Sequence, residues 1–374
     1  VQLSLISAVF YLFSFVFTYL WIYLSGKYSN RLVFLIGGAF WILPLFYFPY
    51  IQSYAVLILV VALIGIGTES VPVLLTNYLV SLKLTKQFAR VYSFQAIVQG
   101  AGGVFGTLLV ILVQKFNNSN WGHTFIITAI VSCILFLITY FIMFLKFKKE
   151  NPKGFENQKY IFNWNKIKEL FKNRVNLLIV MWFLIAVPFI PFLNIWTQLY
   201  FINEHGVSQE VAIITFIYLS GIEFLGYISA GMITDYFKRK NNKAFKSLGF
   251  YAIGLSGIFF LLALLIPWAL ESVVGDQFIE LCFNLLITVL SDFKITISYI
   301  FFTFAFFSYT FIDPYTASIA EYYNNNENKQ IMLNINKSIT ALGYLVGPII
   351  GGFIADLSNF LVMFLHIPIA FFVS

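Results

Sequence analysis

Residues 231–240 read Gly-Met-Ile-Thr-Asp-Tyr-Phe-Lys-Arg-Lys, and this charged stretch lies between two long apolar runs. It begins with a glycine, has an acid four residues later, and ends in basic residues. Each flanking run is long enough to cross a bilayer as a helix. The stretch therefore predicts a compact reversal between two membrane-spanning helices.

The composition of the whole chain agrees with a membrane protein. Of its 374 residues, 60% are hydrophobic, 20% are aromatic and only 10% are charged, whereas soluble domains carry about 25% charged residues. So much apolar surface cannot be hidden in a soluble globule, so lipid must be the solvent. The 45 Phe and 22 Tyr residues suit lipid-facing helices with interfacial aromatic belts.

Eleven apolar runs approach or exceed the roughly 20 residues that a membrane helix needs. They are residues 1–25, 32–50, 54–80, 92–114, 122–146, 176–202, 210–232, 246–269, 295–322, 332–355 and 359–374. The runs are too long for strands and lack period-two alternation, so we expect an all-α polytopic fold. Because Val1 already lies inside an apolar run, we expect a chain truncated at its N-terminus, with one helix before Val1.

The basic residues predict the orientation of these helices. Five polar segments, 26–31, 81–91, 146–175, 233–246 and 323–337, hold all 23 basic residues except Lys115 and Lys294. By the positive-inside rule these segments are cytoplasmic, an assignment that includes Lys337. The net charge of +7 is explained in this way, so no nucleic-acid partner is expected.

An internal repeat predicts two similar halves. A shift of 245 residues places Gly102 on Gly347, Gly106 on Gly351 and Ser93 on Ser338. Halves with the same helix order imply a pseudo-two-fold axis along the membrane normal. The expected domains are an N-terminal bundle over 1–146, a cytoplasmic linker over 147–175 and a C-terminal bundle over 176–374.

Two further segments are predicted not to cross the membrane. Residues 163–173 would form either an amphipathic helix on the inner leaflet or a disordered tether. Within residues 271–294, Asp276 and Asp292 flank an apolar stretch that is too short to cross the bilayer comfortably, which predicts a helix on the outer surface.

The charged stretch resembles a known family motif. Its spacing, Gly231-x-x-x-Asp235-x-x-x-Arg239-Lys240, is similar to the signature loop of the major facilitator superfamily (MFS), with Lys238 in place of the usual second glycine. The resemblance implies an MFS fold in which the visible runs are helices 2–12 of the family. It also implies that Asp235 and Arg239 hold an inner gate shut in one state.

A second stretch, Gly343-x-x-x-Gly347-Pro348-x-x-Gly351-Gly352, looks like the antiporter motif of the family. That motif belongs on the fifth helix, whereas here it lies on the counterpart of that helix in the second half. The stretch therefore supports the fold and says little about antiport. Glycines spaced four apart allow close helix packing, and the same packing role is predicted for Gly102 and Gly106.

Three acids lie within apolar runs: Glu69, Asp313 and Glu223. A carboxylate at bilayer depth costs about 2.5–3.5 kcal/mol even on lenient scales, so each is a candidate functional group. We expect Glu69 and Asp313 to be proton or substrate sites. The alternatives are a hydrogen-bonded structural acid at a helix break, or a salt bridge to a cation on the helix before Val1. Glu321, near an inner helix end, is expected to meet water.

Two amide pairs share an i, i+4 spacing that places both members on one helix face. Asn194 and Gln198 lie on the run 176–202, and Gln95 and Gln99 lie on the run 92–114. Each pair is predicted either to contact substrate or to form hydrogen bonds between helices.

The sequence shows no catalytic triad, metal cluster, P-loop or dinucleotide-binding glycine pattern, so no enzyme activity and no cofactor are expected. The resemblance implies secondary active transport of a small organic solute by alternating access, coupled to protons. Uncoupled facilitated diffusion and a non-transporting receptor or scaffold are the alternatives. The expected partners are the lipid bilayer, a small-molecule substrate and protons, for a monomer in the plasma or cytoplasmic membrane.

Overall fold

The computed structural model describes residues 2–81, 87–116, 121–147, 164–186, 196–269, 273, 278–357 and 360–373. Every regular element among these residues is helical, which confirms the all-α prediction. The first helices are α1 (Gln2–Lys27), α2 (Asn30–Tyr47), α3 (Tyr54–Thr68), α4 (Ser70–Ser81), α5 (Phe88–Phe116), α6 (Trp121–Phe147), α7 (Trp164–Leu170) and α8 (Arg174–Ala186). They are followed by α9 (Thr197–His205), α10 (Gln209–Lys240), α11 (Asn242–Leu264), α12 (Phe278–Ser291), α13 (Phe293–Tyr309), α14 (Ile312–Tyr323), α15 (Asn326–Leu357) and α16 (Phe360–Val373).

Eight helical spans in the described part of the chain are long and apolar enough to cross a membrane. They are Leu5–Lys27, Asn30–Tyr50, Tyr54–Thr76, Gly122–Ile142, Gln209–Lys240, Asn242–Leu264, Phe293–Tyr323 and Asn328–Leu357. The other three predicted runs correspond to α5, to α8 with α9, and to α16. The helix expected before Val1 stays a prediction.

Two predicted helices are each broken shortly before a proline. The run 54–80 divides into α3 and α4 at Glu69, and the run 295–322 divides into α13 and α14 at residues 310–311. Pro72 and Pro314 are each the third residue of the second piece. A proline cannot donate to the carbonyl four residues earlier and clashes with it, which favours a break there, although Pro348 lies inside the unbroken α15.

A hydroxyl side chain donates to a backbone carbonyl just before each break. Ser70 Oγ donates to Gly67 O at 2.7 Å, and Thr310 Oγ1 donates to Phe307 O at 2.7 Å. Backbone groups at bilayer depth need such partners because no water is available there. The two breaks therefore have the same local chemistry.

The charged stretch 231–240 is helical rather than a loop. Helix α10 continues through Lys240, and Asn241 alone connects it to α11. Three basic residues in the last turn favour this extension because they interact well with the negative end of the helix dipole. Asn241 accepts a hydrogen bond from Ala244 N at 3.1 Å and so caps α11. The predicted reversal is present, but the segment 233–246 is not the polar loop that we expected.

The two short predicted helices are present. In the segment 163–173, α7 forms and packs against α15, and its Leu170 is buried. In the segment 271–294, α12 forms, packs against α13 and α10 and buries Leu281 and Leu285. Which side of the membrane each helix faces stays a prediction.

Helix pairs that are distant in sequence hold the molecule together. Helix α1 packs along α15, α5 packs along α10, and α5 also contacts α14. Within the first part of the chain, Trp21 Nε1 on α1 donates to Ile66 O on α3 at 2.6 Å. The two long-range pairings surround the cavity described next.

Candidate functional site

An internal cavity of about 550 Å³ brings the three predicted acids together. Glu69 lies at the break between α3 and α4, Asp313 in the first turn of α14, and Glu223 near the middle of α10. The proline-induced breaks thus place two of the acids, which are 244 residues apart in sequence, on one cavity wall.

Lys337 is a fourth charged residue of this cavity, and its cytoplasmic assignment was wrong. Helix α15 begins at Asn326, so Lys337 lies eleven residues, or about 16 Å, inside the helix. The positive-inside rule assigned it to a loop because the first turns of α15 are polar in sequence. The ammonium donates a hydrogen bond to Pro72 O at 2.7 Å.

The ammonium of Lys337 interacts electrostatically with two of the three acids. It attracts both Glu69 and Asp313, so a cation of the described residues faces these acids, and a cation on a helix before Val1 stays a prediction. Glu223 experiences repulsion from Asp313, and no cation in the described part of the chain offsets it. The three acids are therefore not equivalent.

The predicted amides differ in their positions. Gln95 and Gln99 on α5 line the cavity; Gln95 is buried, and its Oε1 has no hydrogen-bond partner among the described residues. Gln198 lies in α9 and does not line the cavity as the described residues define it. Asn194 falls outside the described residues.

Tyrosines form much of the cavity wall, a feature that the sequence analysis missed. The rings of Tyr11 on α1 and Tyr344 on α15 are 4.8 Å apart. Tyrosines at bilayer depth on cavity helices would have been the signal, but tyrosine is too abundant in this chain to stand out. The lining tyrosines are Tyr11, Tyr92, Tyr227, Tyr309 and Tyr344.

Asp235 joins the last turns of α10, which carry three basic residues, to the start of α5. Its carboxylate is fully buried and accepts hydrogen bonds from Ala89 N and Arg90 N, both at 3.1 Å. These amides belong to the first turn of α5, where helical N–H groups lack intrahelical partners. The Arg90 guanidinium lies 3.7 Å from the same carboxylate. A side chain of α10 thus caps α5.

Gly231 permits the close approach on which this capping depends. A Cβ at Gly231 would lie 2.5 Å from Ser93 Oγ and 2.9 Å from the Arg90 Cα. Of the basic residues in the motif, Arg239 donates from Nε to the Asp235 carbonyl oxygen at 3.1 Å, within the same helix. Arg239 and Lys240 are both exposed.

Lys238, which replaces the usual motif glycine, forms an ion pair with Glu321 on α14. Glu321 is therefore not simply exposed to water, as we had expected, because its side chain is only 9% exposed. Nearby, the Lys329 ammonium lies 4.9 Å from the centre of the Phe88 ring at the start of α5. Charged contacts thus connect α5, α10, α14 and α15 at one end of the molecule.

The glycines predicted to pack helices have different surroundings on α15 and on α5. Gly343, Gly347, Pro348 and Gly351 are buried in α15, the helix that packs along α1. In contrast, a Cβ at Gly102 or Gly106 would meet no heavy atom within 4 Å. No described neighbour packs closely on these two glycines of α5.

Membrane-length helices around a charged internal cavity define an integral, multi-pass membrane protein that can carry a solute through its interior. Residues 1–291 match the family model described as Major Facilitator Superfamily. The chain belongs to this superfamily, whose members are secondary transporters rather than enzymes.

Solved structures agree with this assignment. The E. coli fucose:proton symporter FucP, in a variant form, is 14% identical with a TM-score of 0.67, covering 100% of this chain and 88% of its own. The human organic anion transporter MFSD10 (TETRAN) is 14% identical with a TM-score of 0.65, covering 99% and 82%. The proton:xylose symporter XylE is 14% identical with a TM-score of 0.65, covering 100% and 84%. At such identity these likenesses show the fold. No curated protein matches the chain by sequence.

Proposed function

We propose that this transporter moves a small organic solute by alternating access and couples the movement to protons. The observation that carries the proposal is the presence of three carboxylates and one ammonium in a single internal cavity. Charged groups at bilayer depth are expensive and are typical of substrate and proton pathways. Two of the structurally similar proteins are proton symporters, which supports coupling only through the shared fold.

The proposed coupling rests on the attraction of Lys337 to both Glu69 and Asp313. When either acid binds a proton, it loses its attraction to the ammonium, and the balance of charge in the cavity changes. Glu69 and Lys337 lie in the expected N-terminal (1–146) and C-terminal (176–374) bundles, which we propose to be the moving bodies, linked by 147–175. Proton binding would therefore alter the attraction between the two bodies.

The capping of α5 by Asp235 would form the inner gate. Its hydrogen bonds to Ala89 and Arg90 connect helices from different proposed bodies, at the end predicted to be cytoplasmic. Opening toward the cytoplasm would require these bonds to break. Substrate would then leave on the side opposite the one from which it entered.

One observation favours uncoupled facilitated transport as a second candidate. The Lys337 ammonium binds the Pro72 carbonyl and faces two acids, an arrangement that also suits permanent structural charge balance. In that case Glu69 and Asp313 would stay ionised throughout the cycle, and a pH gradient would have no effect on accumulation.

The test uses proteoliposomes that contain the full chain and a trapped pH indicator. Pools of small organic solutes are added outside, and both solute uptake and internal pH are recorded. We expect at least one solute to enter together with a pH change, and a protonophore to abolish its accumulation. Glu69→Gln and Asp313→Asn should abolish accumulation while sparing solute exchange. Solute entry without a pH change would favour facilitated transport, and accumulation at the unaltered level in both variants would remove these acids from coupling.

A further inference from the structure

A second chamber of about 370 Å³ lies between α5 and α10 and adjoins the charged cavity. The two spaces share part of their wall, and Glu223 stands at the boundary between them. The shared residues are Ala96, Gly100, Val104, Ser220, Glu223 and Tyr227.

The chamber is apolar and has room for a ligand. Apart from Ser220, Glu223 and Tyr227, its described wall consists of glycine, alanine and larger apolar side chains. A Cβ at Gly100 or Gly221 would meet no heavy atom within 4 Å. The open space beside these glycines therefore continues into the chamber and is not filled by a described neighbour.

The carboxylate of Glu223 has no counter-ion in the described structure. It forms no hydrogen bond or ion pair with a described residue, and the charged group that acts on it is Asp313, which repels it. Lys337 instead faces Glu69 and Asp313. A buried carboxylate without a cation is strongly disfavoured. A cationic ligand at this position would therefore offset the free-energy cost of burying the unpaired charge.

We propose that the transported solute is an amphipathic organic cation, with its ammonium group against Glu223 and its apolar part in the chamber between α5 and α10. This inference rests on the proposed transport function and specifies its substrate class. Tyr227, which also borders both spaces, adds an aromatic ring of the kind that attracts ammonium groups. The charged head and the apolar tail would each contact a wall of matching chemistry.

The test is calorimetric titration of the full chain in zwitterionic lipid nanodiscs, with empty nanodiscs as the blank. The probes are hexyltrimethylammonium, tetramethylammonium and hexanesulfonate. We expect hexyltrimethylammonium to bind at least tenfold more tightly than tetramethylammonium, and hexanesulfonate not to bind. Failure of hexyltrimethylammonium to bind, loss of the difference between the two cations, or equal binding of the sulfonate would each overturn the proposal.

Two variants separate the head site from the tail site. Glu223→Gln should weaken hexyltrimethylammonium binding at least tenfold, whereas Glu210→Gln, at the exposed start of the same helix, should leave it unchanged. Gly221→Leu should fill the chamber and remove the advantage of the hexyl chain without affecting tetramethylammonium. Gly254→Leu on α11, another glycine with open space, is the matched control. Unchanged hexyltrimethylammonium binding in both Glu223→Gln and Gly221→Leu would refute the assignment.

Failure of this inference can be told apart from failure of the proposed function. If Glu223→Gln does not fold, the comparison of probe charges and the Gly221→Leu variant still decide the substrate class. A solute-dependent pH change without any cation binding would refute the cation assignment and leave proton coupling intact. Cation binding without any pH change would support the cation assignment and refute proton coupling.

Discussion

Lys337 and Pro72, which are 265 residues apart, are joined by a hydrogen bond of 2.7 Å from the Lys337 ammonium to the Pro72 carbonyl oxygen. Pro72 is also the residue that breaks the helix beside Glu69. One proline thus exposes the carboxylate to the cavity and offers a carbonyl to the cation that faces it. The bond ties α15 to α4 at the level of the charged groups.

Replacing this cation should destabilise the protein more than replacing one of its acids. Lys337→Gln leaves both Glu69 and Asp313 without the cation that attracts them, and an uncompensated carboxylate at bilayer depth costs about 2.5–3.5 kcal/mol even on lenient scales. Glu69→Gln should cost less because Asp313 still faces Lys337. The double variant should be more stable than Lys337→Gln alone, as thermal unfolding in nanodiscs would measure. Lys294→Gln, at an exposed position, is the control, and strictly additive effects would contradict the coupling.

The sequence predicted the acids of this site better than their partner. Glu69, Asp313 and Glu223 stood out because carboxylates are rare in apolar runs, and all three line one cavity. Lys337 was missed because the positive-inside rule counts basic residues by segment, and the polar first turns of α15 resemble a loop. Only the structure shows that the helix already begins at Asn326.

Asp235→Asn should shift the protein toward an inward-open state. An amide has one acceptor oxygen, so its NH₂ group would oppose the N–H of Ala89 or Arg90, at a cost of about 1–3 kcal/mol. The reporter is Thr340→Cys, at a cavity position, in a chain whose Cys133 and Cys282 are changed to serine. We expect labelling from the cytoplasmic side to become roughly tenfold faster, since about 1.4 kcal/mol corresponds to a factor of ten.

Asp292→Asn provides the control for that experiment. Asp292 also accepts from two backbone amides, those of Lys294 and Ile295, but it does so at the start of α13 within its own segment. Its replacement should leave the labelling rate unchanged. The gate assignment fails if Asp235→Asn and Asp292→Asn are labelled at the same rate from both sides.

Gly231→Ala should destabilise the protein, although alanine is the better helix former. The new methyl group would lie 2.5 Å from Ser93 Oγ, and such overpacking costs about 1–3 kcal/mol. Gly221→Ala on the same helix meets open space and should stabilise by up to about 1 kcal/mol. Opposite shifts in the unfolding temperature are the expected result, and two shifts of the same sign would contradict it.

The ion pair between Lys238 and Glu321 should be recoverable by charge reversal. Both side chains are about one-tenth exposed, at 11% and 9%, so Lys238→Glu or Glu321→Lys alone would place like charges together and cost about 3 kcal/mol. The combined reversal keeps the total charge near Lys329 unchanged and should restore at least half of the lost stability. Thermal unfolding is the measurement, and a double variant as unstable as the worse single variant would refute the pairing.

The sequence predicted the fold class better than it predicted the local helix geometry. Long apolar runs and the Gly231–Asp235 spacing indicated the family, because both depend on composition and short-range order. The helical continuation to Lys240 was missed, since polar residues beyond the apolar core also favour a loop. Nothing in the sequence indicated that Lys238 would meet Glu321, because that contact depends on how α10 and α14 pack.

The single connecting residue, Asn241, couples α10 and α11 rigidly. A linker of one residue has almost no slack, so neither arm can slide along the other by a helical turn. When the Asp235 end of α10 swings away from α5, α11 has to follow, and the displacement is passed on to α13, against which α11 packs. A few glycines inserted beside Asn241 would uncouple the two helices. The bonds from Ala89 and Arg90 to Asp235 could then break without a movement of α11 and α13.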